Sequence, residues 1–126
     1  MIEGIKIGDI AIDCKEREKL RDFYADLLGW EKRVMFGCPA VVSAEGFTLI
    51  FMETDCEYCP PVWPDEPGTQ QKQMHFNFEV ANLARAVAEA EGLGAKRSAS
   101  QFGGEHFVVM LDPEGHPFCL CAQHKA

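Results

Sequence analysis

The chain has 126 residues, of which 47% are hydrophobic and 25% charged, and its formal net charge is −8 at pH 7. This length suits one ordinary domain with a single core, and the composition excludes a disordered or membrane-embedded chain. The acidic balance argues against a nucleic-acid partner, because no basic patch is available to replace phosphate counterions. The longest apolar runs are strand-sized, and no export signal is visible at the N-terminus, so we expect a cytoplasmic protein without a membrane partner.

The first half of the chain predicts a strand, a helix and three further strands. Residues 5–14 are predicted as the first strand, since residues 9–14 alternate with a period of two, which is typical of a strand with one buried face. Residues 16–28 carry an apolar stripe with helical spacing, although Lys15 is a poor N-cap, and Gly29 is well placed to end the helix. Three strands are then predicted over residues 31–36, 40–44 and 47–53, separated by turns at 37–39 and 45–46.

A proline-rich connector follows over residues 54–72, which hold four of the seven prolines. We expect a partly extended linker, pinned down by Val62 and Trp63, within a single domain that covers residues 1–126. The connector is also acidic. A solvated loop explains this charge, and an acidic rim that attracts a cationic ligand is the alternative.

The second half repeats the same order of elements. His75, Asn77 and Glu79 share one face of a strand over residues 74–80, and three apolar residues share the other. Asn82 is a good N-cap for a helix that ends near Gly92 or Gly94. Three more strands are predicted over residues 96–102, 105–111 and 118–123, with a tight turn at 112–115 between the last two.

The repeat predicts an α+β fold built from two tandem βαβββ modules that form a curved half-barrel around a shared cleft. Module 1 covers about residues 5–53, the linker 54–72, and module 2 about residues 73–123. In module 2 we expect the helix to cover Phe76, Phe78, Phe118 and Leu120. The cleft would then receive the opposite strand faces, with His75, Asn77, Glu79, Cys119 and Cys121.

The sequence resembles the vicinal oxygen chelate superfamily, also called the glyoxalase/bleomycin-resistance/dioxygenase fold, and within it the glyoxalase-like branch. The marks of the superfamily are Phe23-Tyr24 before Leu28-Gly29, the restart at His75, the Gly-Leu-Gly-Ala segment at 92–95 and the Asp-Pro-Glu-Gly-His-Pro-Phe segment at 112–118. The segments at 61–64 and 118–121 resemble the glyoxalase-like branch. The resemblance implies that the first strands of the two modules lie side by side, with Asp9 and His75 at the cleft floor.

The resemblance also implies four positions for the ligands of a divalent metal, here Asp9, Ile50, His75 and Cys119. Only His75 has a residue type that the superfamily prefers, and Ile50 has no donor atom. Asp9, His75 and Cys119 remain as candidate ligands, and this mixed set would favour zinc. We expect no tightly bound metal, with His75 as a hydrogen-bonding residue of the cleft.

Several residues have more than one interpretation. His75 is a ligand, a general base or a polar residue on a wet strand face. Trp63 either forms an aromatic wall over a ligand or anchors the linker. Asp13 and Glu79 occupy equivalent places, as an acid/base pair would, although ordinary polar facing explains them equally. The six cysteines are expected to be reduced thiols, with a structural zinc site at Cys56 and Cys59 as a minor alternative.

Three functions follow from these observations. The first is binding of a small organic molecule by Asp9, Trp63, His75, Asn77, Glu79 and Cys119 in the cleft, without a tightly bound metal. The second is a metal-dependent lyase or isomerase of the glyoxalase type. The third is drug sequestration of the bleomycin-resistance type, which needs an acidic cleft and aromatic walls. We also expect a homodimer, because each module leaves sheet edges uncovered.

Overall fold

The computed structural model describes residues 1–123, and His124, to which the sequence assigned no role, lies outside them. The chain divides into two compact units, of which the first ends at Tyr58 and the second begins at Cys59. Each unit contains one four-stranded sheet. The predicted linker is therefore divided, with residues 54–58 in the first unit and 59–72 in the second.

The first unit has the order strand, helix, three strands. β1 (Ile10–Cys14) is followed by α1 (Arg17–Leu28), β2 (Glu31–Met35), β3 (Cys38–Val42) and β4 (Thr48–Glu53). The strand order in the sheet is β1-β4-β3-β2. β1 runs parallel to β4, as a helical crossover requires, whereas the other pairs are antiparallel.

Helix α1 packs its apolar stripe on one face of this sheet. The ring of Tyr24 stacks on that of Phe51 with centroids 5.7 Å apart, and both side chains are fully buried. The N-terminus of α1 is weakly capped, as expected. Its N-cap residue is Glu16 rather than Lys15, and the Glu16 side chain makes no capping hydrogen bond. Gly29 ends the helix at φ 69°, a left-handed conformation that glycine adopts without strain.

The second unit repeats the same order. β5 (Phe76–Val80) is followed by α2 (Leu83–Gly92), β6 (Lys96–Arg97), β7 (Phe107–Leu111) and β8 (Pro117–Ala122). The strand order is β5-β8-β7-β6, with β5 parallel to β8 and the other pairs antiparallel. The two sheets are therefore built to one plan.

Two local signals in the second unit act as the sequence predicted. The side chain of Asn82 accepts a hydrogen bond from the Arg85 backbone N–H at 3.0 Å and so caps α2. The Asp112 carbonyl accepts from Gly115 N–H, and the Asp112 N–H donates to the His116 carbonyl, which closes the tight turn between β7 and β8. The Asp112 carboxylate, with a fully buried side chain, also contacts Nδ1 of His116 at 2.8 Å. No role was predicted for His116, and the structure shows that its ring supports this turn.

Two predicted strands are shorter than expected. β1 begins at Ile10 instead of residue 5, because its partner β4 begins only at Thr48 and the preceding residues form the turn from Ser43 to Phe47. β6 covers two residues instead of seven. Beyond it, the Gln101 side chain takes the place of a backbone partner, accepting from Val109 N–H at 2.9 Å and donating to the Val109 carbonyl at 2.7 Å.

The predicted fold class is confirmed as α+β, with two tandem βαβββ modules, each an open four-stranded sheet with one helix. The remaining strand ends agree with the prediction to within two residues. Of the helices in residues 1–123, neither is long and apolar enough to cross a membrane.

Candidate functional site

One face of the second sheet carries polar and thiol side chains in two rows, and we call it the Asn77 face. The strand register pairs Asn77 with Cys119, and Glu79 with Cys121. The predicted separation of faces is confirmed, because Phe76 pairs with Phe118 and Phe78 with Leu120 on the opposite side. Asn77 and Glu79 are exposed, so an amide and a carboxylate are accessible to a ligand.

The opposite, apolar face is equivalent to the face that α1 covers in the first module. There Phe51 contacts Tyr24 of the helix and pairs with Ile12 of β1. Leu120 occupies the same position in the second module, paired with Phe78 of β5. The Asn77 face is therefore the side of the sheet that the helix leaves uncovered.

Both thiols on the Asn77 face favour their protonated form. Burial is the main cause that raises the pKa of Cys119, and the neighbouring Cys121 adds to it. Burial also raises the pKa of Cys121, with a further contribution from the Glu79 carboxylate. Because the thiolate is the reactive form of cysteine, neither thiol is activated as a nucleophile near neutral pH, and a metal ion would have to displace the thiol proton in order to bind.

An aromatic group borders this face, and we call Trp63, Lys72, His75 and Phe102 the Trp63 cluster. The Trp63 ring stacks with Phe102 at 5.9 Å and meets the edge of His75 at 5.0 Å. The ammonium of Lys72 lies 4.3 Å from the Trp63 ring centroid and 3.4 Å from an Asp65 carboxylate oxygen. These contacts hold the tryptophan of the linker on the second module, which agrees with one of the two interpretations of Trp63 and leaves the aromatic wall over a ligand as a prediction.

Phe107 connects the Trp63 cluster to the Asn77 face. It pairs with Cys121 in the β7–β8 register, and its ring meets that of Phe102 at 6.0 Å. Gly103 makes this contact possible, since any Cβ at that position would collide with the carbonyl oxygen and ring of Phe107. Aromatic rings and hydrogen-bonding groups are therefore continuous within the second unit.

The structure places the predicted residues of the second module as follows. His75 is exposed and lies one residue before β5, so the predicted strand over 74–80 begins two residues late. Its ring is held by Trp63, whereas Asn77, Glu79 and Cys119 lie on the Asn77 face. Asp9 belongs to the first unit, where it is exposed and immediately precedes β1. Its predicted proximity to His75 stays a prediction.

Sequence reasoning missed Lys72 and Phe102. Lys72 is the first basic residue after the acidic residues of the connector, and only this position in the sequence could have pointed to its contact with Trp63. Phe102 stands before Gly103-Gly104 and is 60% exposed. A large aromatic residue next to two glycines is a signal that would have placed it in a loop rather than in the predicted strand over 96–102.

The four positions that the resemblance implies for metal ligands do not supply the three protein donors that a catalytic divalent ion needs. Ile50 is buried, 5% exposed, and offers no donor. Cys119 is 3% exposed, and its raised pKa keeps the thiol protonated. In residues 1–123 no three side chains of His, Cys, Asp or Glu form a group that could hold a metal. Cys56 and Cys59 are exposed, and within residues 1–123 none of the six cysteines forms a disulfide.

Two tandem βαβββ modules and an exposed polar strand face beside aromatic rings define a protein of the glyoxalase/bleomycin-resistance/dioxygenase class. The chain belongs to the family of glyoxalase-like domains, which it matches over residues 9–121. The resemblance found in the sequence is thereby confirmed. No curated protein matches the chain significantly.

Solved structures of the same fold include an antibiotic binding protein and an antibiotic resistance protein. The chain is similar to the fosfomycin resistance protein FosX from Listeria monocytogenes, with 18% identity and a TM-score of 0.66, covering 98% of this chain and 94% of that one. It is also similar to TnmS3, an antibiotic binding protein from Streptomyces sp. CB03234, with 13% identity, a TM-score of 0.64 and coverage of 98% and 100%. A glyoxalase/bleomycin resistance protein/dioxygenase family enzyme from Burkholderia phytofirmans PsJN has 15% identity, a TM-score of 0.66 and coverage of 91% and 96%. The TM-scores show that these proteins and this chain share a common fold.

Proposed function

We propose that this protein binds a small organic molecule with an aromatic part, using the Asn77 face and the Trp63 cluster, and that it does so without a tightly bound catalytic metal. The observation that carries the proposal is the continuity from Trp63 through Phe102 and Phe107 to the row of Cys121 and Glu79. A ligand site combines apolar and aromatic walls with a few polar groups that orient the ligand.

The charge distribution favours a neutral or cationic ligand. The chain carries a formal net charge of −8, and the exposed carboxylate of this face is Glu79. Lys72 adds no free positive charge, because it lies between the Trp63 ring and Asp65. An anionic ligand would have to approach this carboxylate without an opposing cation from the cluster.

Drug sequestration is the second candidate function, favoured by the same acidic and aromatic surface. An antibiotic binding protein and a fosfomycin resistance protein have the same fold, which supports this alternative. A metal-dependent lyase or isomerase is disfavoured by the donor set, since it would need about three protein ligands. The carboxylates Asp13 and Glu79 are assigned no proton-transfer role, because both are exposed and ordinary polar facing explains them.

The two tryptophans allow a matched fluorescence test. Trp63 belongs to the cluster, whereas Trp30 stacks on Phe47 in the first unit. A thermal-shift screen of cationic, neutral and anionic aromatic compounds selects binders, since a ligand of the native state raises the unfolding temperature. We expect the hits to be cationic or neutral, and to quench fluorescence in Trp30→Phe but not in Trp63→Phe. Hits that bind Trp63→Ala and Glu79→Gln as tightly as the parent would contradict the proposed site.

Elemental analysis tests whether the protein carries a tightly bound metal. Protein purified without chelator is expected to carry far less than one equivalent of zinc, manganese or magnesium per chain by elemental analysis. One equivalent of zinc that disappears in His75→Ala would restore the enzyme interpretation. Zinc that persists in His75→Ala and disappears in Cys56→Ser would indicate the structural site at Cys56 and Cys59 instead.

A further inference from the structure

Cys119 and Cys121 form a pair of thiols on the same face of β8. They alternate with Leu120, so the period of two directs both sulfur atoms to the Asn77 face. Cys119 is 3% exposed and Cys121 is half-buried, which makes Cys121 the accessible member. The mutual effect of the two thiols on the pKa of Cys119 agrees with their proximity.

The spacing of this pair disfavours a disulfide. Residues i and i+2 of a strand have Cα atoms about 6.6 Å apart, and their Cβ atoms project in parallel. A disulfide needs Cβ atoms about 3.8 Å apart, so oxidation would distort the strand. A metal atom between the sulfurs adds two bonds of about 2.3 Å each, as in zinc thiolates, and spans a gap of this size.

The number of donors restricts the kind of metal. A structural zinc site needs four ligands and a catalytic one about three. No third His, Cys, Asp or Glu side chain completes a metal-binding group with the pair in the part of the chain that is described, residues 1–123. Two sulfur donors alone suit soft cations that accept linear two-coordination.

The net charge of the complex distinguishes monovalent from divalent soft cations. Two thiolates around a monovalent cation leave one net negative charge, which would be partly buried and next to the Glu79 carboxylate. Burying an uncompensated charge costs free energy. A divalent cation gives a neutral product, because M²⁺ replaces the two thiol protons and two H⁺ are released. The exposed Glu79 carboxylate attracts the incoming cation, and Cys121 is the sulfur that it reaches first.

We propose that Cys119 and Cys121 form a two-thiolate binding site for a soft divalent cation with linear coordination, for which mercuric ion is the probe. The site is separate from the proposed organic-ligand function, since it needs neither Trp63 nor His75. It also differs from the zinc set of Asp9, His75 and Cys119, which requires residues from both modules.

The experiment removes the other closely spaced thiols first. Cys56→Ser/Cys59→Ser serves as the parent, because Cys56-x-x-Cys59 is a second candidate chelate. The folded parent is titrated with mercuric chloride in the presence of a monothiol competitor, with ultraviolet thiolate absorbance and free-thiol counting as readouts. We expect one equivalent to be retained and two thiols to be blocked, with the two thiol protons passing to the competitor thiolates that the protein displaces.

A matched set of variants in that parent decides the outcome. Cys121→Ser is expected to weaken retention about 100-fold, because the chelate becomes a single thiolate, whereas Cys38→Ser in the first unit leaves it unchanged. Cys119→Ala tests the second sulfur, and near-ultraviolet circular dichroism confirms that each variant stays folded. Equal retention in Cys121→Ser, or blocking of thiols only as the dichroism of the fold disappears, would overturn the proposal.

Discussion

Single residues of this chain gain their properties from where the strands place them. Asn77 and Cys119 occupy one row of the sheet and Glu79 and Cys121 the next, so two exposed polar groups adjoin two more buried thiols. The thiols stay protonated because burial penalises the thiolate. These two rows therefore offer hydrogen-bonding groups to a ligand and also contain two protonated thiols.

The raised pKa values of Cys119 and Cys121 predict a loss of stability in alkali. Unfolding exposes both thiols, so the unfolded chain releases their protons at a lower pH than the folded one. The contribution of the two thiols to the free energy of unfolding is complete below their pKa in the unfolded chain, about 8.5. It is lost as the pH rises through their higher pKa values in the folded protein. Urea unfolding at pH 7 and pH 10 measures this change. Cys119→Ala/Cys121→Ala is expected to lose less stability between these pH values than the wild type, and an equal loss would contradict the prediction.

The buried carboxylate of Asp112 predicts a large effect of its removal. It accepts hydrogen bonds from the backbone N–H groups of Glu114 and His116 and contacts the His116 ring. Asp112→Ala leaves these donors without their acceptor and is expected to lower the free energy of unfolding by about 2 kcal/mol or more. Asp112→Asn keeps one acceptor oxygen, so chemical denaturation should show a smaller loss. An Asn variant as unstable as the Ala variant would show that charge rather than turn geometry matters.

At the scale of elements, the two helices have the same role but different beginnings. α1 starts at Glu16 without a side-chain cap, whereas Asn82 caps α2. α1 also packs aromatic rings on its sheet, while α2 buries the smaller side chains of Val87 and Ala90. A helix with less buried apolar surface depends more on its cap.

Removal of the α2 cap is therefore expected to be measurable. Asn82→Ala deprives the Arg85 N–H of its acceptor and should cost about 1 kcal/mol of unfolding free energy. Asn82→Asp retains the acceptor and is expected to stay within about 0.5 kcal/mol of the wild type. Thermal and urea unfolding measure both variants. A loss in Asn82→Asp equal to that in Asn82→Ala would show that the cap is not the cause.

On the scale of the whole molecule, each sheet has an edge strand on the side away from its first strand, namely β2 in the first module and β6 in the second. Strand edges present unpaired backbone groups that favour association with another chain. The segment before β1 adds exposed isoleucines, with Ile5 at 66% and Ile7 at 82% exposure. This combination supports the expectation of a homodimer.

Light scattering at micromolar concentration tests this expectation. We expect a particle of about twice the 14.1 kDa chain mass. Ile7→Lys is expected to shift the protein towards the monomer, because a charge replaces an apolar contact. Leu93→Lys is the matched control, since Leu93 is 41% exposed at the end of α2 in the other unit. A 14 kDa particle for the wild type would count against the dimer.

The order of elements and the separation of strand faces were predictable from the sequence. A period of two reports only which residues share a face, and this held for His75's neighbours Asn77 and Glu79 and for Cys119 and Cys121. Gly29, Asn82 and the turn at Asp112 act through local backbone geometry, which neighbouring residues alone specify. Local signals of this kind need no knowledge of distant contacts.

Tertiary structure decided what depends on a distant partner. β1 begins at Ile10 because β4 begins at Thr48, and β6 is short because the Gln101 side chain pairs with Val109. The same is true of the candidate site. Trp63 meets Phe102 across 39 residues of sequence, a contact that neither periodicity nor composition encodes. The sequence by itself determined the modules and their faces, whereas packing between distant segments decided where the strands end and which rings lie beside the Asn77 face.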